Sequence, residues 1–464
     1  MNILSYRGPQ TPGGVSATLS RVIERTLLSQ NWWYFHGSSL RKKSLTTTEQ
    51  HELFASSIVE GHYRYCNNFL WPILHQLPQY ANYSQEDHKA YLELNKAASA
   101  ILANNTLGQL NAQFFINDYQ FALCPKNLVQ ASETSVDLFW HIPWPKAVDN
   151  RYCHYLEEIA RGLLFSRKVG FHTQEYVHNF MEFIDCNFDD YFVDFASSTV
   201  SGPDGRTTRL LNQPLGLDTE YWMSKLEQES PICKLSDLRG LEKRPFVLSV
   251  DRADYTKGVF ERLEGIEHFL CANPEQIGKV LFVQVCQKTR PGLVAFDNYW
   301  VKCRDLADSI NSRWGAGEWK PIVWIDNPLS SNTLAWLYAR AAILLITAVK
   351  DGLNLTAKEF SLCSKDGVLV LSAATGVWQE FSQEVLTLLN LRPDSISKQI
   401  VYALSMPKSI RQERMMRLKN TVLSNDLDNW WKEFGSDFRS AAKVVSIAAK
   451  LPSHQKELSK VQHQ

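Results

Sequence analysis

Short apolar runs, each closed by turn residues and followed by a helix-like stretch, recur through both halves of the chain. A strand that is apolar on both faces must be covered on both, and helices between parallel strands do this, so the pattern predicts an α/β architecture. In the first half, residues 2–6, 114–117, 136–141 and 168–171 read as strands and 16–28 as a helix. A Pro/Gly loop containing Gly13 and Gly14 separates the first strand from that helix. The pattern restarts near Arg244, with strands at 246–250, 280–285, 322–325, 343–347 and 367–371. Helices are expected over 259–272 and 331–341, and another carries 357–362. Residues 197–241 are rich in Gly, Pro, Asp and Arg, and the domain boundary is placed there, near 240. Two open α/β domains leave a cleft at the carboxyl ends of their strands, where ligands bind.

Bulk properties narrow the function. The 464 residues suffice for two domains with a sizeable core, and 44% hydrophobic with 21% charged residues is an ordinary globular composition. Lys plus Arg equals Asp plus Glu at 49 each, so no global field favours nucleic acid or a membrane. An anion must be held by local cations. The opening MNILSYRG does not read as a secretory signal, and no apolar run is long enough to span a bilayer. Nine cysteines without a CxxC pair argue against a disulfide framework or zinc site and for a reducing cytoplasm. The composition leaves room for a homo-oligomer. The polar tail after Pro452 is expected to fray.

Five clusters could carry chemistry. In Ser249-Val250-Asp251-Arg252-Ala253-Asp254-Tyr255-Thr256-Lys257-Gly258, Arg252 and Lys257 flank a turn just beyond a strand. Two fixed cations in a dry cleft would stabilise a departing diphosphate more in the transition state than before it. The plain alternative is two surface cations paired with Asp251 and Asp254. A second cluster, Asp351-Gly352-Leu353-Asn354-Leu355-Thr356-Ala357-Lys358-Glu359, opens a helix, whose N–H groups attract phosphate or sugar oxygens. Asp351 and Glu359 could hold a sugar and a ribose, or be an N-cap and a solvated helix residue. His141 lies in Phe139-Trp140-His141-Ile142-Pro143-Trp144-Pro145 and could bond a sugar hydroxyl or be a satisfied core histidine. The others are Asn117-Asp118-Tyr119 and Tyr6-Arg7 with Gly13-Gly14, where Arg7 could hold an acceptor phosphate. No nucleophile elbow, Walker loop, HExxH or EF-hand pattern occurs, and Asp251-x-x-Asp254 is assigned no metal.

Together these clusters resemble the trehalose-6-phosphate synthase family, glycosyltransferase family 20, with its glucosylglycerol-phosphate synthase relatives. SVDRADYTKGVFER and KDGLNLTAKEF carry the resemblance, and FWHIPWP, FFINDYQ, FLWPILH and GFHTQEYVHNF add to it. The resemblance implies a GT-B fold of two Rossmann-like domains: an acceptor domain over 1–240, joined by a C-terminal helix at 435–464, and a nucleotide-sugar domain over 241–434. It implies that Arg252 and Lys257 grip the donor diphosphate, with Gly13 and Gly14 beneath it. Asp351, Gly352, Leu353, Asn354 and Leu355 would hold the donor glucose and phosphates, Glu359 the ribose, and His141 the donor sugar. Arg7, Trp71, Asp118 and Arg290 would surround the phosphorylated acceptor. The implied reaction moves glucose from a UDP-, GDP- or ADP-sugar to glucose 6-phosphate with retention and no cofactor. A front-face route, with the leaving phosphate helping to deprotonate the acceptor, needs no protein nucleophile.

Several positions depart from the family. Its usual His-Asp-Tyr is Asn117-Asp118-Tyr119, and a usual Tyr falls on His62 with Tyr63 beside it. An Arg ahead of the Asp-Gly pair is Ala339, with Arg340 adjacent, and Thr-Pro-Leu-Arg becomes Thr347-Ala348-Val349-Lys350. These leave glycerol 3-phosphate as an alternative acceptor, and a non-catalytic sugar-phosphate sensor or subunit as an alternative of another class.

Overall fold

Two sheets organise the molecule. The computed structural model describes residues 1–9, 14–25, 31–44, 47–109, 111–228, 241 and 244–432. The first sheet holds β1 (Asn2–Arg7), β2 (Asn31–His36), β3 (Ser39–Lys43), β4 (Thr48–Leu53), β5 (Ala112–Asn117), β6 (Thr134–Phe139), β7 (Lys168–Phe171), β8 (Phe192–Asp194), β9 (Thr199–Ser201) and β10 (Thr207–Asn212). The second holds β11 (Phe246–Arg252), β12 (Leu281–Gln287), β13 (Ile322–Ile325), β14 (Ile343–Ile346), β15 (Val368–Ser372) and β16 (Leu386–Leu388).

Strand order in the second sheet is β13-β12-β11-β14-β15-β16, all parallel, the doubly wound arrangement of a Rossmann domain. The first sheet runs β4-β3-β2-β1-β5-β6-β7-β10-β9-β8, parallel from β2 through β10 with antiparallel hairpins at both edges. The central strands are apolar because both faces are covered; β14 and β15 are buried at every residue. Each sheet has a point where the winding reverses, between β1 and β5 in one and between β11 and β14 in the other. These are the places where open α/β sheets bind ligands.

The central strands and the helix Val259–Ala272 follow the expected pattern. The segment 197–241 does not behave as a plain connection. Residues 199–212 form the β9–β10 hairpin, and their Gly, Asp and Arg residues build its turn: Gly202 N–H donates to Arg206 O at 2.9 Å, and Gly205 has φ +78. The first helix spans Gly14–Arg25. The boundary near 240 and the helix at 435–464 fall outside the described residues.

Contacts pin the halves together. Tyr80 stacks on Tyr255 with ring centroids 4.0 Å apart. The buried Lys358 ammonium donates to Leu215 O at 3.0 Å and pairs with Glu380. Trp430 and Trp431 pack edge-on against Phe115 of the first sheet. No helix among the described residues is long and apolar enough to cross a membrane.

Candidate active site

The loops leaving both reversal points face one cavity of about 440 Å³. That volume suits a small-molecule ligand. Arg7 comes from the end of β1, Asp118 follows β5, Arg252 ends β11, and Asp351 lies beyond β14. Loops after β6, β7 and β12 add His141, His172 and Arg290.

Local geometry explains how the second sheet presents its charges. Gly258 has φ +61, and a Cβ there would collide with the Thr347 carbonyl oxygen. Only glycine lets the Arg252–Lys257 turn lie against the loop after β14. The Lys257 ammonium is then 2.6 Å from Asp351 Oδ2. Burial pushes the Asp351 carboxyl up, but Lys257 and the Asn354 amide outweigh it and hold the group below its usual range. Asp351 precedes the helix Leu355–Cys363 and is not its cap. The cap is Asn354, at φ 86, whose side chain accepts from Ala357 N–H at 3.1 Å. Its amide donates to Asp351 Oδ2 at 3.0 Å.

Arg252 keeps the contact with Asp254 that the plain reading expects, but each acid of the β11 turn has a nearer partner. Asp251 meets the fully buried Arg262 at 2.8 Å, and Asp254 meets Arg290 at 2.6 Å. Burial pushes Asp254 up, but Arg290 and Arg252 draw it down to about 2. Arg252 lies 3.9 Å from Asp254 and keeps 38% of its side chain accessible where it lines the cavity. Burial lowers the Arg252 guanidinium, and the Arg290 charge lowers it further. Arg290 stacks over Trp71 with its guanidinium carbon 3.9 Å from the ring centroid. Burial raises the Tyr63 phenol, while Arg290, Arg7 and Arg252 all oppose the rise. The three arginines and this tyrosine line the same cavity.

The first sheet's side of the cavity is different. His62, His75 and His141 are buried and held neutral, at about 4, 4 and 3 respectively, because burial penalises the imidazolium. Burial raises Asp118 to about 7 against the N–H groups it accepts. Its φ of 74 is strained for a residue with a side chain, and Arg290 (φ 48) and Asn354 (φ 86) share the strain. Such outliers cluster at functional sites. Glu359 is likewise raised to about 7 by burial, opposed by the Tyr338 hydroxyl that donates to it at 2.8 Å.

A model of glycosyltransferase family 20 matches residues 36–440. The chain belongs to glycosyltransferase family 20. A bifunctional trehalose-6-phosphate synthase/phosphatase of Thermoproteus tenax is 33% identical over 87% of this chain, which spans 55% of that relative's length. A trehalose-6-phosphate synthase of Sinorhizobium fredii is 28% identical over 84% of each chain. A solved UDP-forming alpha,alpha-trehalose-phosphate synthase of Burkholderia xenovorans, in complex with glucose-6-phosphate, is 25% identical. It superposes with a TM-score of 0.84 over 94% of this chain and 99% of its own. The two-sheet architecture is accordingly the GT-B fold of this family.

Within this family 20 chain, Arg7, Trp71, Asp118, His141, Arg252, Lys257 and Arg290 all line the single cavity described above, as do Asp351 through Leu355 and Glu359. Gly14 opens the first helix, Gly13 lies outside the described residues, and Ser16 of that helix lines the cavity. Glu359 is not a solvated helix residue. Arg340 does not replace the missing family arginine: it is exposed and stacks over Trp336. Lys350 reaches the other half, 3.3 Å from Glu175. Arg262 and Tyr338, which support Asp251 and Glu359, had no separate signal in the sequence, because their partners lie 11 and 21 residues away.

Proposed function

We propose that this chain transfers glucose from a nucleoside diphosphate glucose to glucose 6-phosphate with retention, forming trehalose 6-phosphate. One observation carries the reading: Arg252 and Lys257 share a cavity with the 351–355 loop and with Arg7 and Arg290 from the facing elements. Arg252 and Lys257 are the cations to meet the departing diphosphate. Lys257 waits on Asp351, and an incoming diphosphate competes for it. Glu359 is the ribose ligand. Arg7, Arg290 and Tyr63 form an anion site on the acceptor side, with Trp71 and Asp118 beside the acceptor ring. The UDP-forming Burkholderia relative, solved with glucose-6-phosphate, supports glucose 6-phosphate as acceptor and UDP as leaving group, and the Sinorhizobium trehalose-6-phosphate synthase supports the product.

The chemistry asks little covalent work of the protein. As the bond to the diphosphate breaks, negative charge grows on its oxygens, and preformed cations stabilise that charge without reorganising. The acceptor hydroxyl attacks from the same face, and its proton passes to the leaving phosphate oxygen.

The test pairs UDP-, GDP- and ADP-glucose with glucose 6-phosphate, glycerol 3-phosphate and free glucose, with products read by mass spectrometry. A phosphorylated disaccharide formed only with glucose 6-phosphate is expected. Equal nucleotide release with free glucose, or product with glycerol 3-phosphate alone, would reject the assignment.

A further inference from the structure

The carbonyl oxygen of Asp351 is held from both halves of the molecule. Within its own half it accepts from the Gly376 N–H at 3.1 Å, and the Asp351 N–H donates to Ala374 O at 3.0 Å. From the other half it accepts from the Tyr176 hydroxyl at 3.0 Å. A carbonyl oxygen has two lone pairs, so each half fills one. Burial, with the charges of Glu175 and Asp351 adding to it, raises the Tyr176 phenol well above its usual range, so the hydroxyl keeps the proton it donates.

Local structure fixes where Tyr176 stands. It lies in the first turn of the helix Gln174–Asn187, whose cap Thr173 accepts from the Tyr176 N–H at 3.1 Å. The residue is buried and does not line the cavity. Beside it, Lys350 reaches Glu175 at 3.3 Å and holds its ammonium 5.4 Å from the Tyr176 ring centroid. Asp351 does line the cavity. Its Oδ2 meets Lys257 at 2.6 Å and the Asn354 amide at 3.0 Å. Turning the Asp351 peptide would swing this carboxylate, and Tyr176 is a donor from the facing half that resists the turn.

We propose that Tyr176 is a positioning residue for donor binding: its hydroxyl, delivered by the first half, orients the peptide that aims the Asp351 carboxylate at the transferred sugar. The inference rests on the glycosyl-transfer reading, in which Asp351 holds the donor glucose. It makes one hydrogen bond between the halves part of donor recognition. The donor loop takes its binding shape where the facing half supplies the phenol.

The test uses Tyr176→Phe, which removes the hydroxyl and keeps the ring, and reads the binding of UDP-glucose and of UDP by calorimetry beside the rate of transfer. UDP-glucose should bind about tenfold more weakly to Tyr176→Phe, the size of one hydrogen bond, with kcat/KM for the donor falling in step. UDP, which has no sugar for Asp351 to hold, should keep its affinity. In an Asp351→Ala background there is no carboxylate to aim, and Tyr176→Phe should then leave UDP-glucose affinity unchanged. Lys350→Met removes the neighbouring contact between the halves without touching the Asp351 carbonyl, and should leave the ratio of UDP-glucose to UDP affinity as in wild type. Equal losses for UDP and UDP-glucose in Tyr176→Phe, no loss for either, or a loss that persists in the Asp351→Ala background would overturn the proposal. A wild type that never transfers, yet whose UDP-glucose affinity depends on Tyr176 as described, would sink the transfer reading and leave the positioning role standing. Melting curves check that each variant folds.

Discussion

The two walls of the cavity handle ionisable groups in opposite ways. On the second-sheet wall the groups around the β11 turn stay charged and are matched, Lys257 with Asp351, Arg290 with Asp254, Arg262 with Asp251, while Glu359 farther along is raised by burial. On the first-sheet wall burial suppresses charge, leaving His62, His75 and His141 neutral and raising Asp118. The difference suits what each wall would meet under the proposed function. A diphosphate needs cations that are fixed before it arrives, and carboxylates hold those cations in place. A neutral sugar ring needs directional hydrogen bonds, and an uncharged imidazole or amide gives direction without a field.

The largest expected effect probes the matched wall. Arg262→Met leaves Asp251 buried without its partner and should cost about 3–5 kcal/mol in urea unfolding, the range for breaking a buried pair. Burial already pushes Asp251 up in the presence of Arg262, so the pair is poised against desolvation. An unchanged unfolding midpoint would mean the wall is not held by this pair. Next, Arg252→Ala should lower kcat by about 10²–10³, or 2.7–4 kcal/mol of barrier, with the fold kept. A rate within a few-fold of wild type would remove the leaving-group role.

A pH experiment addresses the suppressed groups. Asp118 rises from 3.8 and Glu359 from 4.5, each to about 7. The folded state therefore holds protons that the unfolded chain has released, and the ligand-free protein should lose stability as pH climbs from about 4 through about 7. Asp118→Asn and Glu359→Gln should each flatten that slope in urea midpoints taken across the range. A slope identical to wild type in both would show that these carboxyls ionise normally. The smallest effect concerns the seam between walls. A double-mutant cycle on Tyr80→Leu and Tyr255→Leu should give a coupling of about 0.5–1.5 kcal/mol, the usual value for a ring pair. No coupling would mean the stack is incidental.

What could be read in the sequence divides along similar lines. The central strands β11, β13 and β14 and the helix Val259–Ala272 were visible because burial on both faces forces apolar runs, a local signal. Strands β3 and β4, with Ser39–Lys43 and Thr48–Leu53 largely polar and β4 mostly exposed, exist through pairing with their neighbours and carry no such signal. The β10 strand alternates Thr and Arg with buried Thr208 and Leu210, and its hairpin turn resembled a linker in composition. Arg252, Lys257 and the 351–359 segment were legible from motif. The hydrogen bonds that run from Leu215 N–H to His172, from His172 to His141 and from His141 to Asn117 were not, because they span 24 to 43 residues and exist only once β5, β6 and β7 lie side by side.

Gly352 has one more implication. Its Cα rests on the His141 carbonyl with no room for a methyl group. The two Rossmann units thus meet main chain to main chain at the wall of the cavity. A single added carbon there would wedge the jaws open without altering any charge. How near the two units stand at the cavity is set by an atom that glycine leaves out.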